Sequence, residues 1–425
     1  MIRLDYRAAV DDYTRAAQLI PAGSDLIKAG YMNQQGQALL HAGQYPEAEA
    51  PLKEALDIRD RLLKPNDPQI GESLNNLAGL YRNQGKYALA EPLAKRALQI
   101  REKALGPEHP DTAASLNNLA LVYEYQGKFT QAELLYQRDL KLTEKALGPE
   151  HLRLVVTLNN LAELDRAQGK YDQAEPLYQR ALKITEQVLG PEHLRLAATL
   201  NNLALLYDAQ GKYDQAEPLL KRSLQIGEKA LGPGHPDTAA TLNNLAGLYQ
   251  TQEKYVQAEE LYQRTVQIME AVLGPNHPIL AASLSNLAGL YQTQKKYDQA
   301  EPRYQRALEV TEKALGPDHP DTAMTLNNLA ALYYAEKKYD QAEPLYQMAL
   351  NIKEKALGPE HPGTATSLNN LAALYQAEGK HAMAEPLYKR ALAIKEKALG
   401  PEHPDTVGVR NNLVKIKELL AQSQR

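Results

Sequence analysis

Apolar residues between positions 110 and 151 fall on two helical stripes. Leu116, Leu119, Ala120 and Tyr123 stand at i, i+3, i+4 and i+7, the spacing of an amphipathic helix that buries one face. This is helix A. Gly127-Lys128 interrupts the pattern, and Ala132, Leu135, Tyr136, Leu140 and Leu142 then mark a second helix, helix B. Helix B is expected to end at Leu147-Gly148-Pro149. Glycine just past a helix end tolerates the left-handed conformation, and proline cannot continue the helix. His109-Pro110-Asp111-Thr112 opens helix A. Proline suits the first turn, and Asp or Thr is expected to cap free backbone amides.

The pattern is copied along the chain. Leu-Gly-Pro-x-His begins at Leu105, Leu147, Leu189, Leu231, Leu273, Leu315, Leu357 and Leu399, always 42 residues apart. The pair Asn117-Asn118 returns on the same step, with Ser285-Asn286 as its one variant between Asn75 and Asn411. A chain of 425 residues would ordinarily divide into several domains, but an unbroken step predicts one all-α, quasi-one-dimensional array of helical hairpins. Residues 68–403 hold eight full repeats. Residues 24–67 form a degenerate one, with Gly36, Gly43, Tyr45 and Ala48 at matching positions. Residues 1–23, with Tyr6, Ala9, Tyr13 and Ala16 at helix B spacing, are expected to be a remnant helix, as if the chain starts midway through a repeat. Residues 404–425, with Arg410, Lys415, Lys417 and Glu418, are expected to form a polar capping helix.

Leu116-x2-Leu119-Ala120-x2-Tyr123 followed by Ala132-x3-Tyr136 resembles the tetratricopeptide repeat, whose usual period is about 34 residues. The eight extra residues all follow the last small residue of helix B. With Leu-Asn-Asn-Leu-Ala, Gly-Lys-Tyr, Ala-Glu-Pro-Leu-Tyr and Leu-Gly-Pro-x-His-Pro, the 42-residue form resembles the kinesin light chain type over residues 24–425. The resemblance implies an α-α superhelix of right-handed coil, with helix A lining a concave surface that holds a protein segment.

Composition removes several chemistries. There is no Cys, hence no disulfide, thiol nucleophile or cysteine metal site. A net charge of −4 lacks the basic footprint of nucleic-acid binding. No apolar run is long enough for a membrane span, and the N-terminus is not a secretory signal, so a cytoplasmic location is expected. Eight of the ten histidines share one turn column. Equivalent residues about 8–10 Å apart on neighbouring helices cannot share a metal bonded at about 2 Å, so a turn-stabilising role is expected. Twenty of the 25 tyrosines occupy three columns, read as core or inter-repeat positions, whereas Tyr125 and Tyr334 are read as surface contacts. No phosphate loop, His-Glu-x-x-His or unique nucleophile cluster is present, so no enzyme, cofactor or small-molecule substrate is expected.

The second Asn of each pair matches a position that, in tetratricopeptide proteins, often touches bound peptide. The column is Asn76, Asn118, Asn160, Asn202, Asn244, Asn286, Asn328 and Asn370. An amide both donates and accepts, so a ladder of amides can pair with an extended backbone whatever its sequence. The alternative is that Asn stitches adjacent repeats, and the two columns can divide these roles. The slot four residues before the Asn holds Glu72, Ala114, Val156, Ala198, Ala240, Ala282, Met324 and Thr366. Without Lys or Arg there, the groove reads as neutral, and neither a carboxylate clamp nor a preference for acidic cargo is implied. The motor-joining heptad region of kinesin light chains is also absent from the sequence.

Asp139 replaces the small residue of helix B, and Asp165 replaces a column Tyr in the next helix A. A buried carboxylate needs a partner, so one of them is expected to pair with Arg153 or a nearby Arg, as a structural patch. The Arg column from Arg96 to Arg390 and the Glu column from Glu91 to Glu385 read as a solvated outer face. Glu-Pro steps at Pro92, Pro176, Pro218, Pro302, Pro344 and Pro386 are expected to bend the start of helix B. The leading expectation is a scaffold or adaptor that binds a protein or peptide, with self-association also open. The alternative is the sensor or oligomerisation array of a larger signalling protein.

Overall fold

The structure is a computed structural model, and it describes residues 6–21 and 23–423. Residues 1–5 and 22 of the expected remnant helix, and 424–425 of the capping helix, lie outside the described residues. Every regular element among the described residues is an α-helix. Tyr6–Leu19 is followed by the pairs Asp25–His41 with Tyr45–Leu62 and Pro68–Asn83 with Tyr87–Leu105. The pairing continues to His381–Leu399, and Pro404–Ser423 ends the series.

The chain folds as two compact units, one of Met1–Leu164 with Asp172–Thr238, the other of Asp165–Tyr171 with Ala239–Arg425. In the first, the apolar stripes close into a core that includes Leu74, Leu77, Ala94, Leu116, Leu119, Ala120, Ala132 and Tyr136. In the second, Leu280, Leu284, Ala307 and Val310 pack together, as do Leu326 and Ala349. Within each unit helices pack on their neighbours in sequence, as Pro68–Asn83 on Tyr87–Leu105 and Pro278–Thr293 on Tyr297–Leu315, and helix A also meets helix A of the next repeat, as Pro68–Asn83 meets Pro110–Tyr125. This is the solenoid arrangement, in which each hairpin buries its apolar face only by stacking.

The punctuation falls where the glycines and prolines put it. Helix B ends at Leu147, and Gly148 follows at φ +91°. Gly127, after helix A, takes φ +68°. In three repeats the same turn is made by Glu253, Lys295 and Lys337, at φ 60°, 59° and 62°. An L-residue in that region carries a strain of about 1 kcal/mol. Gly36 serves close packing instead, since a Cβ there would lie 2.4 Å from Leu52 Cγ. Helix B runs through its prolines without a break, as in Tyr87–Leu105 around Pro92.

The helix A cap differs from the sequence expectation. His109 is itself the N-cap, its Nδ1 accepting from the Asp111 amide at 3.1 Å. The same bond forms at His151, His193, His235, His277, His319, His361 and His403. Thr112 does not cap; its hydroxyl donates back to the Gly106 carbonyl at 2.8 Å. Where the helix opens with proline the histidine is its cap, satisfying amides that the helix leaves unpaired, whereas His151 and His193 bind amides of the turn before helices that start at Leu154 and Leu196.

The outer columns also differ. Glu175 accepts from the Tyr207 hydroxyl of the next repeat at 2.9 Å, and Glu259, Glu301 and Glu343 accept likewise from Tyr291, Tyr333 and Tyr375. The lysine after the turn lies over the same tyrosine ring wherever the column holds tyrosine from Tyr81 onward, 5.5 Å from its centroid at Lys380 and Tyr375. The Glu column thus joins repeats as well as facing solvent. Arginines pair with the preceding helix B, Arg180 with Glu144 at 2.6 Å and Arg222 with Glu186 at 2.7 Å. These half-exposed ion pairs add little individually.

Candidate functional site

Helix A buries Leu116, Leu119, Ala120 and Tyr123, which leaves Asn117 and Asn118 half-buried on its flank. The first Asn of each pair joins repeats. Asn75 donates to the Ser115 hydroxyl at 2.8 Å, Asn159 to Thr199 at 2.9 Å and Asn327 to Ser367 at 3.0 Å. The second column is mixed. Asn160 donates to Asn117 Oδ1 at 3.1 Å and Asn286 to Asn243 Oδ1 at 2.9 Å, so both are used between repeats. Asn370 accepts from Asn369 at 3.5 Å. Asn76, Asn118, Asn202, Asn244 and Asn328 make no side-chain hydrogen bond among the described residues, and each is half-buried.

Asn118 lines a groove of about 930 Å³ in the first unit. Its walls include Ala113, Ala114, Val155, Val156, Val188 and Ala198, and Asp139 lies at its floor. The sequence explains why it opens here. Two successive repeats start helix A with His-Leu-Arg-Leu and lack the Pro-Asp opening. Their helices, Leu154–Ala167 and Leu196–Ala209, have 14 residues where Pro110–Tyr125 has 16. The residues released from the first turns, Leu152, Arg153 and Arg195, line the groove.

Asp139 does not form the expected pair with Arg153. It is 3% exposed; Oδ2 accepts from the Thr157 hydroxyl at 2.6 Å and Oδ1 from Thr143 at 3.1 Å. The Arg153 guanidinium donates instead to the Pro110 carbonyl at 3.1 Å. Two short hydroxyls reach the carboxylate without the desolvation cost of a buried guanidinium. Burial pushes the Asp139 carboxyl up, against the hydroxyls of Thr157 and Thr143, the Asn117 amide and the more distant charge of Arg153. Asp165 finds a lysine, with Lys170 Nζ at 3.8 Å. The groove is thus walled largely by apolar side chains, with Asp139 beneath them and Glu150, Arg153 and Arg195 also in its lining. Only Asp139 itself pointed there in the sequence.

A second carboxyl is perturbed on the Tyr136 hairpin. The Tyr136 hydroxyl donates to Glu124 Oε2 at 3.0 Å. Burial holds the Glu124 carboxyl up at about 7, with the negative charge of Glu163 adding to it and the Tyr136 hydroxyl opposing it. In other repeats glutamine takes this place, Gln292 accepting from Tyr304 at 3.0 Å and Gln376 from Tyr388 at 3.0 Å. Tyr125, half exposed, stacks on Tyr87 at 5.7 Å, and Tyr334 lies 5.9 Å from Tyr339. No grouping of three or more His, Asp or Glu side chains suited to a metal occurs among the described residues, and no helix there is long and apolar enough to cross a membrane.

Comparison with known proteins agrees with this geometry. Tetratricopeptide repeat models match residues 69–145, 135–187, 153–229, 209–271 and 237–313, and a further one matches 29–69. The nephrocystin-3 TPR domain model matches 299–419. A search of curated proteins returns no match. Among solved structures, the chain is similar to a kinesin light chain of Podosopora anserina with nearly identical TPR-like repeats. That likeness has 27% identity over 47% of this chain and 95% of that one, with a TM-score of 0.41. It is similar to BtubC (BKLC) from P. vanneervenii, with 25% identity over 55% of this chain and 91% of that one and a TM-score of 0.42. A Rap protein complexed with Competence and Sporulation Factor shares the fold, with 15% identity over 87% of this chain and 98% of that one and a TM-score of 0.56. The chain belongs to the tetratricopeptide repeat family, with 42-residue repeats similar to those of kinesin light chain.

Proposed function

We propose that the protein is an interaction scaffold that holds an extended protein segment along the helices A of a unit, with that unit's open Asn amides as the hydrogen-bonding rail. One observation carries the reading. Five amides of the second column make no side-chain hydrogen bond among the described residues, and one of them, Asn118, lines an apolar-walled groove. A half-buried amide without a partner gains most from a ligand that supplies both a donor and an acceptor, as an extended backbone does. Selectivity would come from the small wall residues Ala114 and Ala198 beside the rail.

The test is selection of random dodecapeptides displayed on phage against the full chain. The reading expects selected peptides whose binding falls at least about tenfold in a variant with Asn118, Asn202, Asn244 and Asn328 all changed to Ala. Two or more lost backbone hydrogen bonds account for that change. Selection that yields no binding peptide, or peptides indifferent to the variant, would overturn it.

A further inference from the structure

We propose that the groove over Asp139 takes a basic side chain, a lysine or arginine of an extended peptide, whose cationic head seats on the Asp139 carboxylate. This deepens the scaffold reading above and rests on it.

The argument begins with the internal copies of Asp139. The equivalent helix B residues are Ala97, Ala181, Ser223, Thr265, Ala307, Ala349 and Ala391, all small, uncharged and buried. Packing at this position therefore needs no carboxylate. Burying one there costs free energy unless a cation or strong donors compensate. The donors present are neutral, the hydroxyls of Thr157 and Thr143 with the Asn117 amide, and no lysine or arginine pairs with Asp139 among the described residues. The nearest arginine spends its guanidinium on the Pro110 carbonyl. The carboxyl is thus held by neutral donors, without the ion-pair partner that a bound cation would supply.

The surroundings define the occupant. The carboxylate sits at the floor of a groove of about 930 Å³, beyond the size of an isolated ammonium or a single free amino acid. Its walls, Ala114, Val155, Val156, Val188 and Ala198, suit the methylene stem of a Lys or Arg, whose polar head alone demands a partner. Asn117, also lining the groove, directs its amide toward the Asp139 carboxyl, beside the place the cationic head would take. Arg153 and Arg195 stand exposed at the rim, where they meet carbonyl or acidic groups flanking the basic residue. A cation at the floor and acceptors at the rim describe one extended segment with a central basic residue.

The test uses the same phage-displayed dodecapeptides, selected on the full wild-type chain and on Asp139→Asn and Asp139→Ala. The second variant installs the residue of five sister repeats and is expected to fold. The expected result is a fixed Lys or Arg at one position in the wild-type selection. That preference is lost with both variants. A synthetic selected peptide should lose about tenfold or more in affinity when its fixed residue becomes norleucine, as for a charge-assisted hydrogen bond. Binding should also be blocked by Ala198→Trp, which fills the groove from an exposed position. Peptides that depend on the Asn rail but show no basic preference, or a basic preference that survives both Asp139 variants, would overturn this proposal and leave the scaffold reading standing. Failure to select any peptide would overturn both.

Discussion

The side-chain amide of Asn286 donates to Asn243 Oδ1 at 2.9 Å, joining two successive helices A. The contact spends on the array an amide that the sequence alone presents as a free rung of a binding ladder. Asn160 and Asn117 repeat it in the first unit, at 3.1 Å. Asn286→Ala and Asn160→Ala should therefore lower thermal stability, each by about 0.5–1 kcal/mol, the net value of one hydrogen bond. Asn244→Ala and Asn328→Ala should leave it unchanged. Differential scanning calorimetry of the four single variants separates the two classes, and equal losses in all four would contradict the division.

Three turns carry avoidable strain. Glu253, Lys295 and Lys337 sit exposed at positive φ where most repeats have glycine. Changing each to Gly should stabilise by a few tenths to about 1 kcal/mol, the strain relieved less the extra entropy of an unfolded glycine. Urea midpoints of the triple variant measure the sum. A lower midpoint than wild type would show that the side chains make contacts worth more than the strain.

The Tyr–Glu bonds between repeats should couple neighbouring hairpins. Tyr375 donates to Glu343 at 2.8 Å. Tyr375→Phe keeps the packed ring and removes only the hydroxyl, at a cost of about 1 kcal/mol. In a double-mutant cycle, Glu343→Gln should then add less than it does alone. Strict additivity would place the carboxylate back among merely solvated charges.

Glu124 gives the array a pH dependence. Its carboxyl is held up at about 7 by burial, so the folded state binds the proton more tightly than the unfolded one. The stability it contributes is full below the unfolded value near 4.5 and is lost as pH rises through about 7. Melting temperatures from about pH 5 to about pH 8 should fall less in Glu124→Gln, which copies the glutamine of other repeats, than in wild type. Parallel curves would remove Glu124 as the cause.

Much of this was legible in the sequence because it is written eight times. Apolar stripes such as Leu116, Leu119, Ala120 and Tyr123 fixed the helices, and Gly127 and Gly148 fixed their ends to within a residue or two. What periodicity does not report is which partner a polar side chain chooses. His109 caps its own helix through Nδ1, Glu175 holds the next repeat's Tyr207, and Asp139 takes threonines in place of Arg153. Each choice depends on side-chain reach across a helix junction. The groove was hidden for a related reason. It exists because two helices begin two residues late, a geometric consequence of missing Pro-Asp that no single column displays.

The central claim is that the open Asn amides hold a peptide backbone while the array stands without them. It is tested most directly by measuring, on one preparation, both peptide affinity and melting temperature for the variant with Asn118, Asn202, Asn244 and Asn328 changed to Ala. With a selected dodecapeptide titrated by fluorescence anisotropy, the account predicts a loss of about tenfold or more in affinity at an unchanged melting temperature. Unchanged affinity with a lowered melting temperature would contradict it and make the whole column structural.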